Sequence, residues 1–172
     1  MNRKHSVEDY AHIVDMIREK IPRATLFTDI IVGFTGEEEE HFEHTRSAMH
    51  RFSFNMVYIA AYSQRPGAVS ARWKDTVPQK IKKERLHRLT HDLEEVALSH
   101  TQKMVGTRVP VLVTGTDRKA GYLSAMTEGR IIVRFPAVDT SLIGTFTEVY
   151  ITQATPFSVE GEQVTVAEPQ SL

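Results

Sequence analysis

The chain has 172 residues, of which 41% are hydrophobic, enough to bury one medium core or two small ones. Its 21 Lys and Arg are offset by 22 Asp and Glu, so no whole-chain field draws it to nucleic acid, and any RNA contact has to be local. No run of about 18 apolar residues exists, the N-terminus lacks a signal-peptide core, and there is no cysteine, so the expected setting is the cytoplasm, away from any membrane.

Ser6 and Asp9 have the spacing of a capping box, with Asp9 in place of the preferred Glu or Gln. Behind them Tyr10, Ile13, Val14, Ile17 and Ile21 recur at helical spacing, and Pro22 stops the helix. Residues 24–33 form an apolar, β-branched run long enough for a buried strand, which breaks at Gly33 into a short loop. A second helix is expected over 37–51; its first turn holds Glu37 to Glu40, where the macrodipole favours negative charge, and its inward face holds Phe42, Thr45, Ala48 and Met49. A strand at 55–62 then completes a parallel, right-handed crossover. The segments TDIIVGFTGE at 28–37 and YSQRPG at 62–67 therefore read as two successive strand ends aimed at one ligand, the way a parallel sheet delivers backbone amides to a nucleotide. A well-capped turn with no ligand is the plainer reading of the same pattern.

Residues 63–76 are turn-rich and carry the lone Trp73. A long helix opens near Pro78, tolerated in a first turn, with Ile81, Leu86, Leu89, Leu93, Val96 and Ala97 as its stripe and Gly106 as its end signal. Lys80, Lys82, Lys83, Arg85 and Arg88 crowd its first half, either as a face for RNA or as a solvated surface paired with Glu84, Asp92, Glu94 and Glu95. After Gly106 the period shortens to alternating runs at 109–113, 121–125, 131–135 and 146–151, with a fifth near 163–166, which argues for a small antiparallel barrel. The expected division is thus 1–105, 106–167 and a tail at 168–172.

The eight histidines do not make a metal site by their spacing: His87 and His91 stand four apart and His41 and His44 three apart, with no third ligand beside either pair. Ser63 follows a strand but lacks the glycines of a nucleophile elbow.

Met1-Asn-Arg3, the TDIIVGF and YSQRPG segments and a terminal β-domain occur in the order found in radical S-adenosylmethionine methylthiotransferases, and the chain resembles their C-terminal part. SLIG at 141–144 and VYIT at 149–152 are most similar to the branch that modifies isopentenyl-adenosine beside the anticodon of tRNA. The resemblance implies an α/β plus all-β fold: the last strands and helices of a radical-SAM (β/α) partial barrel, followed by a small OB-like, RNA-binding β-barrel called TRAM. It implies that Gly33, Gly36 and Glu37, with Tyr62, Ser63 and Arg65, contribute to an S-adenosylmethionine pocket. It also makes Arg108, Arg118, Lys119, Arg130 and Arg134 the cations available to an anticodon stem-loop, with Tyr122 or Phe135 as a stacking ring.

The complete family enzyme inserts a methylthio group at carbon 2 of the modified adenosine, using S-adenosylmethionine and two 4Fe-4S clusters held by cysteines of its N-terminal part. This cysteine-free chain has no ligands for either cluster, so the resemblance implies a fragment that is inactive alone and needs the missing N-terminal portion as its partner. Met1 falls where the family is in mid-barrel, which implies a truncated gene product, a misassigned start or an excised piece. A stand-alone RNA-binding module and a fragment of the ribosomal-protein branch are the other two readings. Thr35 stands where the family has proline and Glu38 where it has threonine. Ala125-Met-Thr127 stands for the Gly-Arg-Thr of relatives, so one expected RNA-facing arginine is missing.

Overall fold

The computed structural model describes residues 4–164, and the chain divides into two compact units, one through Ala97 and one from Leu98. The Met1-Asn-Arg3 segment, the expected tail at 168–172 and residues 165 and 166 of the expected fifth strand lie outside the described residues.

In the first unit, α1 (Val7–Lys20) opens on the expected capping box: the Asp9 amide donates to Ser6 Oγ at 3.1 Å and the Ser6 amide donates to Asp9 Oδ2 at 2.9 Å. The Ser6 amide and the Ser6 hydroxyl, which also donates to Asp9 Oδ2 at 2.8 Å, hold the Asp9 carboxyl below its ordinary pKa. Ala11 and Val14 carry the buried face, whereas Ile13 and Ile21 of the expected stripe are exposed. Tyr10 packs edge-to-face on Phe52, 4.9 Å between centroids.

Strand β1 (Phe27–Val32) and strand β2 (Met56–Ala61) pair in parallel from Phe27↔Met56 to Val32↔Ala61. Between them α2 (Glu39–Phe52) buries Phe42, Met49 and Phe52 and ends at Ser53 in the left-handed region. The run at 24–33 is shorter as a strand than expected, and it is not buried throughout. Within β1 only Val32 is buried, while Phe27 and Ile31, and Tyr58 of β2 at 66% exposure, lie open. The physical reason is the alternation of strand side chains: one face of this two-stranded sheet is covered and the other is not.

Helix α2 also starts two residues later than expected, which leaves Glu37 in the loop before it. Helix α3 (Gln79–Gln102) begins after Pro78, whose carbonyl accepts the Lys82 amide, so the proline precedes the first turn. The buried face of α3 corrects the reading of its basic half: Lys82, Arg85, Leu89, Asp92, Leu93, Val96 and Ala97 are all buried. Lys82 and Arg85 belong neither to a solvated surface nor to an RNA face.

Arg46 of α2 grips Asp92 of α3 with Nε–Oδ2 at 2.6 Å and Nη2–Oδ1 at 2.8 Å. Arg46 thereby holds the Asp92 carboxyl below its ordinary pKa. The depressed pKa means that the clip's full stabilisation is present above the unfolded carboxylate value and is lost as pH falls through the folded one. Acid unfolding of the first unit should accordingly lose a component of about 2 kcal/mol below about pH 4, and Asp92→Asn should show that loss already at neutral pH. A pH series of denaturant midpoints for the two proteins checks it.

The second unit is a closed barrel of β3 (Arg108–Thr116), β4 (Tyr122–Thr127), β5 (Ile132–Pro136), β6 (Phe146–Thr155) and β7 (Ser158–Gln163), in the order β3-β4-β5-β7-β6. The barrel is not wholly antiparallel, because β5 and β7 run parallel from Ile132↔Ser158 to Arg134↔Glu160. Strand β7 also lies earlier than the expected 163–166. Its Gly161 and Glu160 hide the alternation that marks the other strands. Val111, Val113, Leu123, Ala125, Val133, Phe135, Val149, Ile151 and Val159 fill the interior. Phe135 is fully buried, which removes it as a stacking ring.

Candidate functional site

The six residues expected around the cofactor fall into two groups. Gly33, Gly36 and Glu37 form a closed loop. The Gly33 amide donates to Glu37 Oε2 at 2.6 Å, the Gly36 amide to Thr76 Oγ1 at 2.9 Å, and the Glu37 amide to the Phe34 carbonyl at 2.8 Å. All three amides are thus satisfied by the protein. Gly33 has φ +71°, and a Cβ there would stand 2.4 Å from Lys82 Cγ, so this glycine makes room for a side chain of the same fold. Thr35 Oγ1 is buried with no hydrogen-bond partner among the described residues.

Tyr62, Ser63 and Arg65 line a cavity of about 470 Å³, shared with Ile31, Phe34 and Trp73. Phe34 meets Tyr62 and Trp73 edge-on, at 4.9 and 5.9 Å between centroids, so three aromatic rings form one wall. The Tyr62 hydroxyl donates to the Ser70 carbonyl at 3.3 Å, and Gln64 Nε2 to the Trp73 carbonyl at 2.7 Å, which fastens the loop over the strand end.

Beneath that wall lies a buried cation that sequence reasoning missed. Lys82 Nζ donates to Asp75 Oδ2 at 2.5 Å and to the Tyr62 carbonyl at 3.2 Å, and it stands 5.1 Å from the Tyr62 ring centroid. The bond from Lys82 depresses the Asp75 pKa. One helical turn on, Arg85 donates to Glu37 Oε2 at 2.8 Å, to the Glu37 carbonyl at 3.0 Å and to Glu39 Oε2 at 3.1 Å. Arg88 continues the ladder to Glu39 at 2.6 Å and to Glu43. The signal that could have revealed these groups is a spacing of 82, 85, 89, 92 and 96, which is one helical face if charges are counted with the apolar residues.

In the barrel, two of the five expected RNA cations are already engaged. Arg134 Nε donates to Asp117 Oδ2 at 3.1 Å and its Nη1 to Ser158 Oγ at 3.3 Å. Lys119 Nζ pairs with Glu160 at 3.2 Å and stands 3.8 Å from the Tyr122 ring centroid. Arg108, Arg118 and Arg130 are exposed and make no ion pair among the described residues. Arg118 and Lys119 lie in the loop from β3 to β4, and Arg134 lies across the register from Ser124 of β4, so these three gather at one end of the β4–β5 face. Arg130, at φ +60°, marks the turn at the other end of that hairpin, and Arg108 is opposite Tyr150 on the β3–β6 side. The structure therefore does not bring all five together.

No helix among the described residues is long and apolar enough to cross a membrane. His91, Asp92 and Glu95 place metal-ligating atoms within 4.8 Å of one another, but both Asp92 oxygens are held by Arg46.

Residues 102–164 match the model of the TRAM domain. Over 165 residues the chain is 40% identical to the tRNA-2-methylthio-N(6)-dimethylallyladenosine synthase of Oceanobacillus iheyensis, covering 95% of this chain and 32% of that protein. The proteins of the same name from Acetivibrio thermocellus and from a Thermoanaerobacter species are 39% and 38% identical, over 95% and 96% of this chain and 34% and 35% of theirs. The chain spans about a third of the length of these curated relatives.

Proposed function

Because nearly the whole chain resembles the C-terminal part of tRNA-2-methylthio-N(6)-dimethylallyladenosine synthases and its barrel matches the TRAM domain, we propose that it is the RNA-holding, cofactor-bordering portion of a cytoplasmic tRNA methylthiotransferase. The observation that carries this reading is that the 40% identity extends over 95% of the chain and so reaches into both units, since a stand-alone RNA module would share only the barrel.

The residues present fit S-adenosylmethionine in one half of the expected site. The Tyr62, Ser63 and Arg65 group offers an apolar, aromatic-lined cavity with polar edges, the kind of recess that takes a planar base. The Gly33, Gly36 and Glu37 group acts as support, through the amides and the Arg85 contact that fix the end of β1. When bound in a complete enzyme, S-adenosylmethionine supplies the radical precursor; this chain's part is to enclose one side of it and to exclude water with the Phe34, Tyr62 and Trp73 rings. A 4Fe-4S cluster does not fit this chain, because it has no thiolate to offer. The two-stranded parallel sheet, with its open face of Phe27, Ile31 and Tyr58, supports a missing N-terminal portion as the partner that completes the sheet.

The barrel's role is tested by titrating the chain with a labelled anticodon stem-loop at several salt concentrations. Few phosphate contacts are expected, so the logarithm of affinity should fall by roughly 2 per decade of salt, about 0.7 for each contact. Absence of binding at low salt would remove RNA from the account.

A further inference from the structure

Resting on the RNA reading of the barrel, the geometry points to a single-base platform: we infer that Tyr122 stacks one unpaired base, and that Lys119 leaves Glu160 and the ring to meet the adjoining phosphate. Tyr122 lies at the start of β4, half-buried, beside the β3–β4 loop that supplies Arg118 and Lys119. In five-stranded Greek-key barrels of this kind that loop and the face of the second and third strands, here β4 and β5, take single-stranded nucleic acid.

The same face carries its own anions. Asp117 accepts from Arg134, Ser124 Oγ and the Lys119 amide, and Glu160, opposite Arg134 in the β5–β7 register, accepts from Lys119. Every cation of the cluster except Arg118 is therefore neutralised before RNA arrives, and a phosphate has to displace a carboxylate to gain it. Lys119 is the cation free to move. Its backbone is fixed in the turn, but its side chain is exposed and held only at the tip, where the ammonium occupies the ring face that a base would take. Arg134, held between Asp117 and Ser158, stays as a fixed part of the floor. Glu160 thus sets the affinity of the site, and Tyr122 confines it to RNA with unpaired bases.

The test uses the whole chain, with a labelled RNA hairpin bearing an unpaired loop and the same stem closed as a blunt duplex. Tyr122→Leu, which keeps apolar volume under the loop, should weaken hairpin binding about five- to hundredfold and leave duplex binding unchanged; Tyr122→Phe should bind as the parent does. Glu160→Gln should strengthen hairpin binding and steepen its salt dependence by about 0.7 per decade, because Lys119 becomes a net phosphate contact. Glu148→Gln, the control on the β6 side, should leave the slope alone. Hairpin binding indifferent to Tyr122→Leu, or a slope unmoved by Glu160→Gln, would overturn the platform while leaving RNA binding by the barrel intact. Failure of the parent chain to bind either RNA would overturn the RNA reading, and the platform with it.

Discussion

Gly161→Ala should unfold the barrel or leave it barely stable, with a loss of about 3 kcal/mol and a melting temperature at least about 12 °C lower. A Cβ at Gly161 would stand 2.2 Å from the Tyr150 carbonyl oxygen and 2.7 Å from Val149 Cγ1. The obstacle is backbone of the neighbouring strand, paired at Ile151↔Gly161, so no side-chain rotation relieves it. Gly115→Ala in β3 is the matched control: nothing lies within 4 Å of the place its methyl group would take, and the barrel should melt within about 0.5 kcal/mol of the parent. Calorimetry of the two variants separates a steric requirement from a general cost of replacing strand glycines.

The second large effect is expected at Arg85. Its side chain is buried beside Glu37, with 6% and 11% of the two side chains exposed, and Glu37 in turn accepts the Gly33 amide. Arg85→Met would leave that carboxylate buried without its cation, at a cost of about 3–5 kcal/mol. Adding Glu37→Gln should recover much of the loss, since the amide oxygen still accepts from Gly33 and no charge is stranded. Lys83→Met, on the exposed side of the same turn, should change stability by less than about 0.5 kcal/mol. Trp73, the only tryptophan, packs on Phe34 at the strand end and reports the unfolding of this unit by fluorescence.

These two positions also show what the amino-acid pattern could and could not reveal. The capping box at Ser6, the β1-α2-β2 order and four of the five barrel strands were legible because each rests on local spacing: three residues for the box, a period of 3.6 for helices, a period of two for strands. The buried face of α3 was not legible to a search for apolar stripes, because Lys82, Arg85 and Asp92 occupy it and find partners from distant segments. Strand β7 was misplaced for a related reason. Gly161 has no side chain to declare a face, and its requirement comes from Tyr150 on the neighbouring strand β6. At the candidate site, Tyr62, Ser63 and Arg65 reach the cavity through a strand end that spacing could locate. The engagement of Gly33 by Glu37, and of Lys119 by Glu160, depends on folded contacts that no local pattern records.

The central claim, that this chain can serve as the C-terminal portion of a tRNA methylthiotransferase, is tested most directly by a chimera. The N-terminal part of the Oceanobacillus iheyensis synthase would be joined to residues 1–172 and expressed in cells lacking their own enzyme, and the tRNA nucleosides analysed by mass spectrometry. The 2-methylthio nucleoside should appear, and should be lost with Arg85→Met. A folded, cluster-loaded chimera that leaves the adenosine unmodified, while the intact Oceanobacillus iheyensis enzyme restores it in the same cells, would contradict the account.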